Sequence, residues 1–126
     1  VHLVGEPKSI VKNHYYLSTG ADGQGSMILN YDNFEAVVMY SKITDSFFPS
    51  EIQGEKGVIE IDKISDPKKV VIKYRNGEIK DLTVEHKFET MYYEVEEFIN
   101  CVKNGKIESD INSNERTKQV VKLLTM

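Results

Sequence analysis

The stretch VVIKYRNGEIKDLTVEHKFETMYYEVEEFINCVKNG, residues 70–105, carries two hydrophobic periods in one run. Its first half, with Lys69 just ahead of it, places the β-forming segments KVVIKYR and EIKDLTV on either side of Asn76-Gly77, a dipeptide that adopts the positive φ a tight hairpin demands. From Met91 onward the spacing changes. Met91, Val95, Phe98, Ile99 and Val102 fall on one face of a helix, with Thr90 placed to cap it and Gly105 to stop it. Glu94, Glu96 and Glu97 sit in its early turns, where the helix dipole favours negative charge. Strands that give way to helices, without alternating with them, predict the α+β class.

The chain upstream extends the strand region. SIVKNHYYL, residues 9–17, lies between Pro7 and the Gly-rich STGADGQGS and reads as a strand. SMILNY and FEAVVMYSKI flank Asp32-Asn33, which predicts a second tight hairpin. In FFPSEIQGEKGVIEID, Pro49 cannot donate to a ladder and points to an edge or a bulge, while Gly54 to Gly57 turns the chain into the next strand. Downstream, Asn112 with Glu115 resembles a capping box ahead of a second apolar stripe of Thr117, Val120, Val121 and Leu124. The expected architecture is a mostly antiparallel open sheet of about six or seven strands, with two C-terminal helices packed on one face. Ala36, Val38 and Tyr40 alternate with Val37, Met39 and Ile43, so this strand is apolar on both sides. The second sheet face is therefore expected to be covered, most simply by a partner sheet or subunit.

The 126 residues make one domain's worth of chain, with an ordinary globular balance of 40% hydrophobic and 29% charged residues. The net charge of −4, with both signs interspersed, argues against a nucleic-acid surface. Cys101 is the one cysteine, which excludes an internal disulfide and a thiolate-rich metal site and suits a reducing, cytoplasmic setting. No apolar run is long enough to cross a bilayer. The chain opens without Met on VHLVGEP, which reads as the tail of a helix stopped by Gly5 and Pro7.

Motifs with chemical meaning are few. Gly20 to Gly25, GADGQG, has the glycines of a phosphate loop, but a strand follows it where a dinucleotide fingerprint needs a helix, so a hairpin loop is the better reading. His2, His14 and His86 are scattered and lack ligand spacing, so no metal site is expected. The carboxylates of YYEVEEF point in different directions around a helix. The segment SKITDS offers more: Lys42, Thr44, Asp45 and Ser46 supply a cation, a carboxylate and hydroxyls able to hydrogen-bond a polyhydroxy ligand, with a plain polar strand end as the alternative. No activated Ser, Cys/His pair or spaced acid/base pair is present, so no catalytic residue is assigned.

GEPKSI, GSMILNYDNFEAVVMYSK, SEIQGEKGVIEID and above all MYYEVEEFINCVKNGKIESDINSNERTKQVVKLL resemble the C-terminal domain of the glucose-fructose oxidoreductase, inositol dehydrogenase and MocA (Gfo/Idh/MocA) family, nearest to its dihydrodiol dehydrogenase-like branch. The resemblance covers essentially the whole chain. It implies an NAD(P)-dependent oxidoreductase acting on a sugar, polyol or related diol, in which residues 1–126 are a single C-terminal substrate and oligomerisation domain. The N-terminal Rossmann domain, with its catalytic Lys and its NAD or NADP site, would lie outside this chain. The resemblance also implies a homo-oligomer built through the sheet face, with Thr44 and Ser46 near the substrate cleft. His2 falls at the helix tail and does not match the family's catalytic His. On this reading the chain alone binds no cofactor and is inactive. A free-standing, non-catalytic ligand-binding or interaction module is the alternative.

Overall fold

The computed structural model describes residues 2–125. The chain falls into two compact units, residues 1–45 with 108–126 and residues 46–107. Seven strands and two helices are present among the described residues, in the order strands then helices that defines the α+β class. The strands form two antiparallel sheets, one of three strands and one of four, instead of a single open sheet. One helix belongs to each unit.

In the first unit, β1 (Ser9–Tyr16), β2 (Asp22–Asn30) and β3 (Glu35–Ser41) are ordered β1-β2-β3. The register puts Ile10, Lys12 and His14 beside Leu29, Met27 and Gly25, and these beside Ala36, Val38 and Tyr40, so all nine share one face. Met27 and Leu29 are buried there. Helix α2 (Asn114–Thr125) lies alongside the start of β1, since Ile10 and Lys12 line a cavity of about 440 Å³ together with Gln119 and Lys122. On the other face Val37 and Met39 are 60% and 78% exposed. The two-sided apolar character expected of β3 is thus present, and its outer side is open in this chain. The link between β2 and β3 is wider than the Asp32-Asn33 reading predicts. Tyr31 donates its N–H to Phe34 O at 3.0 Å and the two rings stack at 4.4 Å, which closes a four-residue loop.

In the second unit, β4 (Ser50–Gly54), β5 (Gly57–Ile61), β6 (Val70–Tyr74) and β7 (Ile79–Asp81) run in sequence order. The Asn76-Gly77 hairpin forms as expected. Gly77 takes φ +88°, and Asn76 Oδ1 accepts from Glu78 N at 3.0 Å. Val71 is the buried hydrophobic of this sheet. Helix α1 (Thr90–Lys103) starts one residue after Glu89, its N-cap, and no side chain caps it, so Thr90 is the first helical residue and not the cap. Gly105 ends it at φ +64°, where Lys106 N–H bonds Cys101 O at 2.9 Å in the return typical of a left-handed helix stop. At α2 the cap is Ser113, whose Oγ accepts from Arg116 N at 3.3 Å, one residue beyond the Asn112 that the capping-box pattern indicates. Neither helix buries a residue, so the apolar stripes are present in the sequence pattern and uncovered in the chain.

Candidate functional site

The segment Lys42 to Ser46 leaves β3 in a turn built on one hydroxyl. Ser41 Oγ accepts from Ile43 N at 3.2 Å, Thr44 N at 3.0 Å and Thr44 Oγ1 at 2.9 Å. Thr44 therefore spends its hydroxyl proton on Ser41 and keeps lone pairs for a ligand. Ser46 Oγ accepts from Phe48 N at 3.3 Å, a second local turn of the same kind. Lys42 is tied to the sheet by its backbone, N–H to Gly23 O at 2.8 Å, with its side chain exposed. Asp45 is exposed as well. Lys42, Thr44 and Asp45 belong to the first unit and Ser46 to the second. The hydroxyls that the sequence singles out are thus placed by turn chemistry.

The same end of the three-stranded sheet holds a cluster that the sequence reading did not assemble. His14 and Tyr40 stand on the outer strands, and each pairs with Gly25 on the middle one. With no side chain on Gly25, the Tyr40 phenol lies across β2 towards His14, and its oxygen is 3.0 Å from His14 Nδ1. The same oxygen donates to Asp22 Oδ2 at 2.6 Å. That hydrogen bond to a carboxylate, with burial and the Asp22 charge behind it, pushes the Tyr40 phenol up to about 12. Asp22 Oδ1 is buried without a hydrogen-bond partner and lies 3.9 Å from His14 Nδ1. The Tyr16 ring stacks beside the imidazole at 5.9 Å. The signal that could have found this cluster is the pair of glycines at 23 and 25 inside a strand: such glycines mark a close approach by something else.

Among the described residues, each unit also carries a concave region. The cavity between β1 and α2 is lined by Glu6, Lys8, Lys12 and Lys122, with Lys8 paired to Asp32. A cavity of about 650 Å³ in the second unit is lined by Asp66, Lys68, Thr83, His86 and Phe88. Among the described residues no three His, Cys, Asp or Glu side chains converge on a metal position, and no helix is long and apolar enough to cross a membrane. The residues present do not fit a dinucleotide either. The one glycine-rich stretch runs into strand β2, so no helix N-terminus follows it to receive a pyrophosphate.

The α+β architecture has a counterpart among solved structures. A crystal structure of a Klebsiella pneumoniae protein assigned as an oxidoreductase matches 84% of this chain and 36% of its own at TM-score 0.58 and 18% identity, a likeness of fold. No family model matches the sequence. Individual relatives do: scyllo-inositol 2-dehydrogenase (NADP(+)) IolU of Bacillus subtilis is 46% identical over 124 residues, which is 98% of this chain and 38% of IolU. The uncharacterized oxidoreductase YgjR of Escherichia coli K12 is 40% identical over 102 residues, 81% of this chain and 31% of YgjR. These matches bear out the resemblance to the Gfo/Idh/MocA family that the motifs carry, and the chain spans about a third of the length of the curated relatives it matches.

Proposed function

We propose that this chain is the substrate-side and assembly domain of an NAD(P)-dependent oxidoreductase acting on a polyol, sugar or related diol, with its two units serving as one C-terminal domain. The observation that carries this reading is the 46% identity to IolU along 98% of the chain, a span that takes in residues of both units. Hydride transfer needs a nicotinamide held against the reacting carbon, and the residues here do not fit that cofactor. A nucleotide domain elsewhere in the parent protein would therefore supply the cofactor site and the catalytic groups. NADP is the cofactor in the name of IolU, and a cyclitol is its substrate. In this chain Lys42, Thr44, Asp45 and Ser46 would contact the substrate, and the open face carrying Val37 and Met39 would join subunits into a homo-oligomer.

The test is an assay of the longest natural protein that contains this segment, with NAD and NADP in turn against scyllo-inositol, other cyclitols and simple sugars. Reduction of NADP by a cyclitol is the expected result, with KM raised about tenfold or more by Thr44→Ala combined with Ser46→Ala. A natural start codon close to Val1, or no nicotinamide-dependent activity on any of these substrates, would favour a free-standing binding module instead.

A further inference from the structure

Tyr40 has one hydroxyl proton, and the 2.6 Å bond to Asp22 Oδ2 uses it. A phenol against an ionised carboxylate makes a short, charge-assisted bond in which the phenol must be the donor. The 3.0 Å contact between the phenol oxygen and His14 Nδ1 is then one in which the oxygen accepts. The hydrogen of the neutral imidazole accordingly sits on Nδ1, and the lone pair is left on Nε2. No protein group among the described residues hydrogen-bonds Nε2, and the His14 side chain keeps 27% of its surface open. The buried, unpartnered Asp22 Oδ1 adds its negative charge to the same side of the ring, which makes the outward nitrogen a better acceptor. Beside it the Tyr16 ring is 60% exposed.

We propose that His14 Nε2 is a hydroxyl-binding position for a neutral polyhydroxy ligand, held in the Nδ1–H tautomer by the Asp22–Tyr40–His14 chain, with the Tyr16 ring facing the ligand's C–H groups. A lone-pair acceptor selects a donor, and a carboxylate behind it disfavours an anion, so a hydroxyl suits the position and a phosphate or carboxylate does not. The flat aromatic beside a single directed acceptor is the pairing of apolar face and polar handle that a sugar or cyclitol ring offers in return. The choice of polyhydroxy class rests on the function proposed above, whereas the tautomer rests on the hydrogen bonds alone.

The experiment is a long-range proton–nitrogen NMR correlation on uniformly ¹⁵N-labelled protein at a pH where imidazoles are neutral, about 8.5. His14 is expected as Nδ1–H, in contrast to the Nε2–H form that a solvated histidine prefers, and Tyr40→Phe combined with Asp22→Ala, which removes both acceptors on the Nδ1 side, should return it to that form while the backbone spectrum shows the sheet intact. Titration with scyllo-inositol should then shift His14 Nε2 and the Tyr16 ring signals, and His14→Phe, which keeps a ring but removes the acceptor, should weaken binding about tenfold. An Nε2–H tautomer in the unmodified protein, or an Nδ1–H form that persists in the Tyr40→Phe, Asp22→Ala double variant, would overturn the hydrogen-bond chain. Inositol that fails to bind, or that binds His14→Phe equally well, would overturn the ligand position. If binding survives His14→Phe but is lost with Thr44→Ala and Ser46→Ala, this inference fails and the proposed function stands.

Discussion

Gly25 and Tyr40 pair across β2 and β3, and the space where Gly25 has no side chain is the space the Tyr40 phenol occupies. A Cβ on Gly25 would lie 2.6 Å from Tyr40 Oη and 2.8 Å from its Cζ, and 2.5 Å from Asn13 O. The phenol could swing away, but the backbone carbonyl of β1 could not without opening the ladder. Gly25→Ala should therefore destabilise the protein by about 1–3 kcal/mol, the range for overpacking a fitted site. Urea unfolding of Gly25→Ala beside Gly25→Ala with Tyr40→Ala checks it. The double variant should recover only part of the loss, and full recovery would mean that the Asn13 contact costs nothing.

The Tyr40 phenol, raised to about 12, should be visible in an alkaline absorbance titration. Among the 7 tyrosines two are raised, Tyr92 by its hydrogen bond to Glu96 and Tyr40 up to about 12, and Tyr40→Phe should remove the step near 12 while leaving that of Tyr92. Because the folded value lies above the unfolded one, near 10, the contribution to stability is complete below pH 10 and is lost as the pH rises from there through about 12. Asp22→Asn removes the carboxylate that causes the shift and should bring the step back towards the ordinary phenol range.

How far the sequence reveals this molecule depends on the range of the interaction involved. Local chemistry is legible. The Asn76-Gly77 hairpin, the Gly105 helix stop and the change of period at Met91 appear where the residues indicate. Caps are legible to within a residue, since Ser113 and Asn112 both offer an oxygen and only backbone geometry selects between them. The Gly-rich segment reads as loop because glycine weakens a strand. Gly23 and Gly25 are nonetheless inside β2, where Leu17 and Tyr40 fill the room their side chains would have taken. His14, Asp22 and Tyr40 meet only through the register of three strands, which no local pattern encodes. Thr44 and Ser46 stand out in the sequence as hydroxyls, but their hydrogen bonds to Ser41 Oγ and from Phe48 N emerge only once the turns are folded.

The loop between β5 and β6 should respond to acid through Asp62. The backbone N–H of Lys69, and then those of Lys63 and Lys68, hold its carboxyl below the usual carboxylate range. A folded value below the unfolded one gives stability that is present above about pH 3.9 and is lost as the pH falls from there through the depressed value. Chemical unfolding between pH 5 and pH 3 should show a shallower acid-side loss for Asp62→Asn than for the unmodified protein. Equal slopes would mean that the loop opens before Asp62 titrates.

The two apolar patterns, one buried and one exposed, separate the chain's own stability from its assembly. Leu29 is 8% exposed on the covered face of the three-stranded sheet, while Phe98 on α1 is 68% exposed. If the protein in solution is a monomer with these exposures, Leu29→Ala should cost about 2–5 kcal/mol, and Phe98→Ala should stay within about 0.5 kcal/mol of the unmodified protein. A side chain left in water loses no burial when it is truncated, which is why the second variant should be silent. Association would change that outcome in a specific way. Copies joined through α1 would bury Phe98, its truncation would then cost about as much as a core residue, and the cost would grow with protein concentration. Copies joined through the outer face of the first sheet would leave Phe98→Ala silent and make Met39→Ala, at 78% exposure in the single chain, the concentration-dependent variant. Thermal unfolding of the three variants at two protein concentrations a hundredfold apart therefore identifies which apolar face is covered.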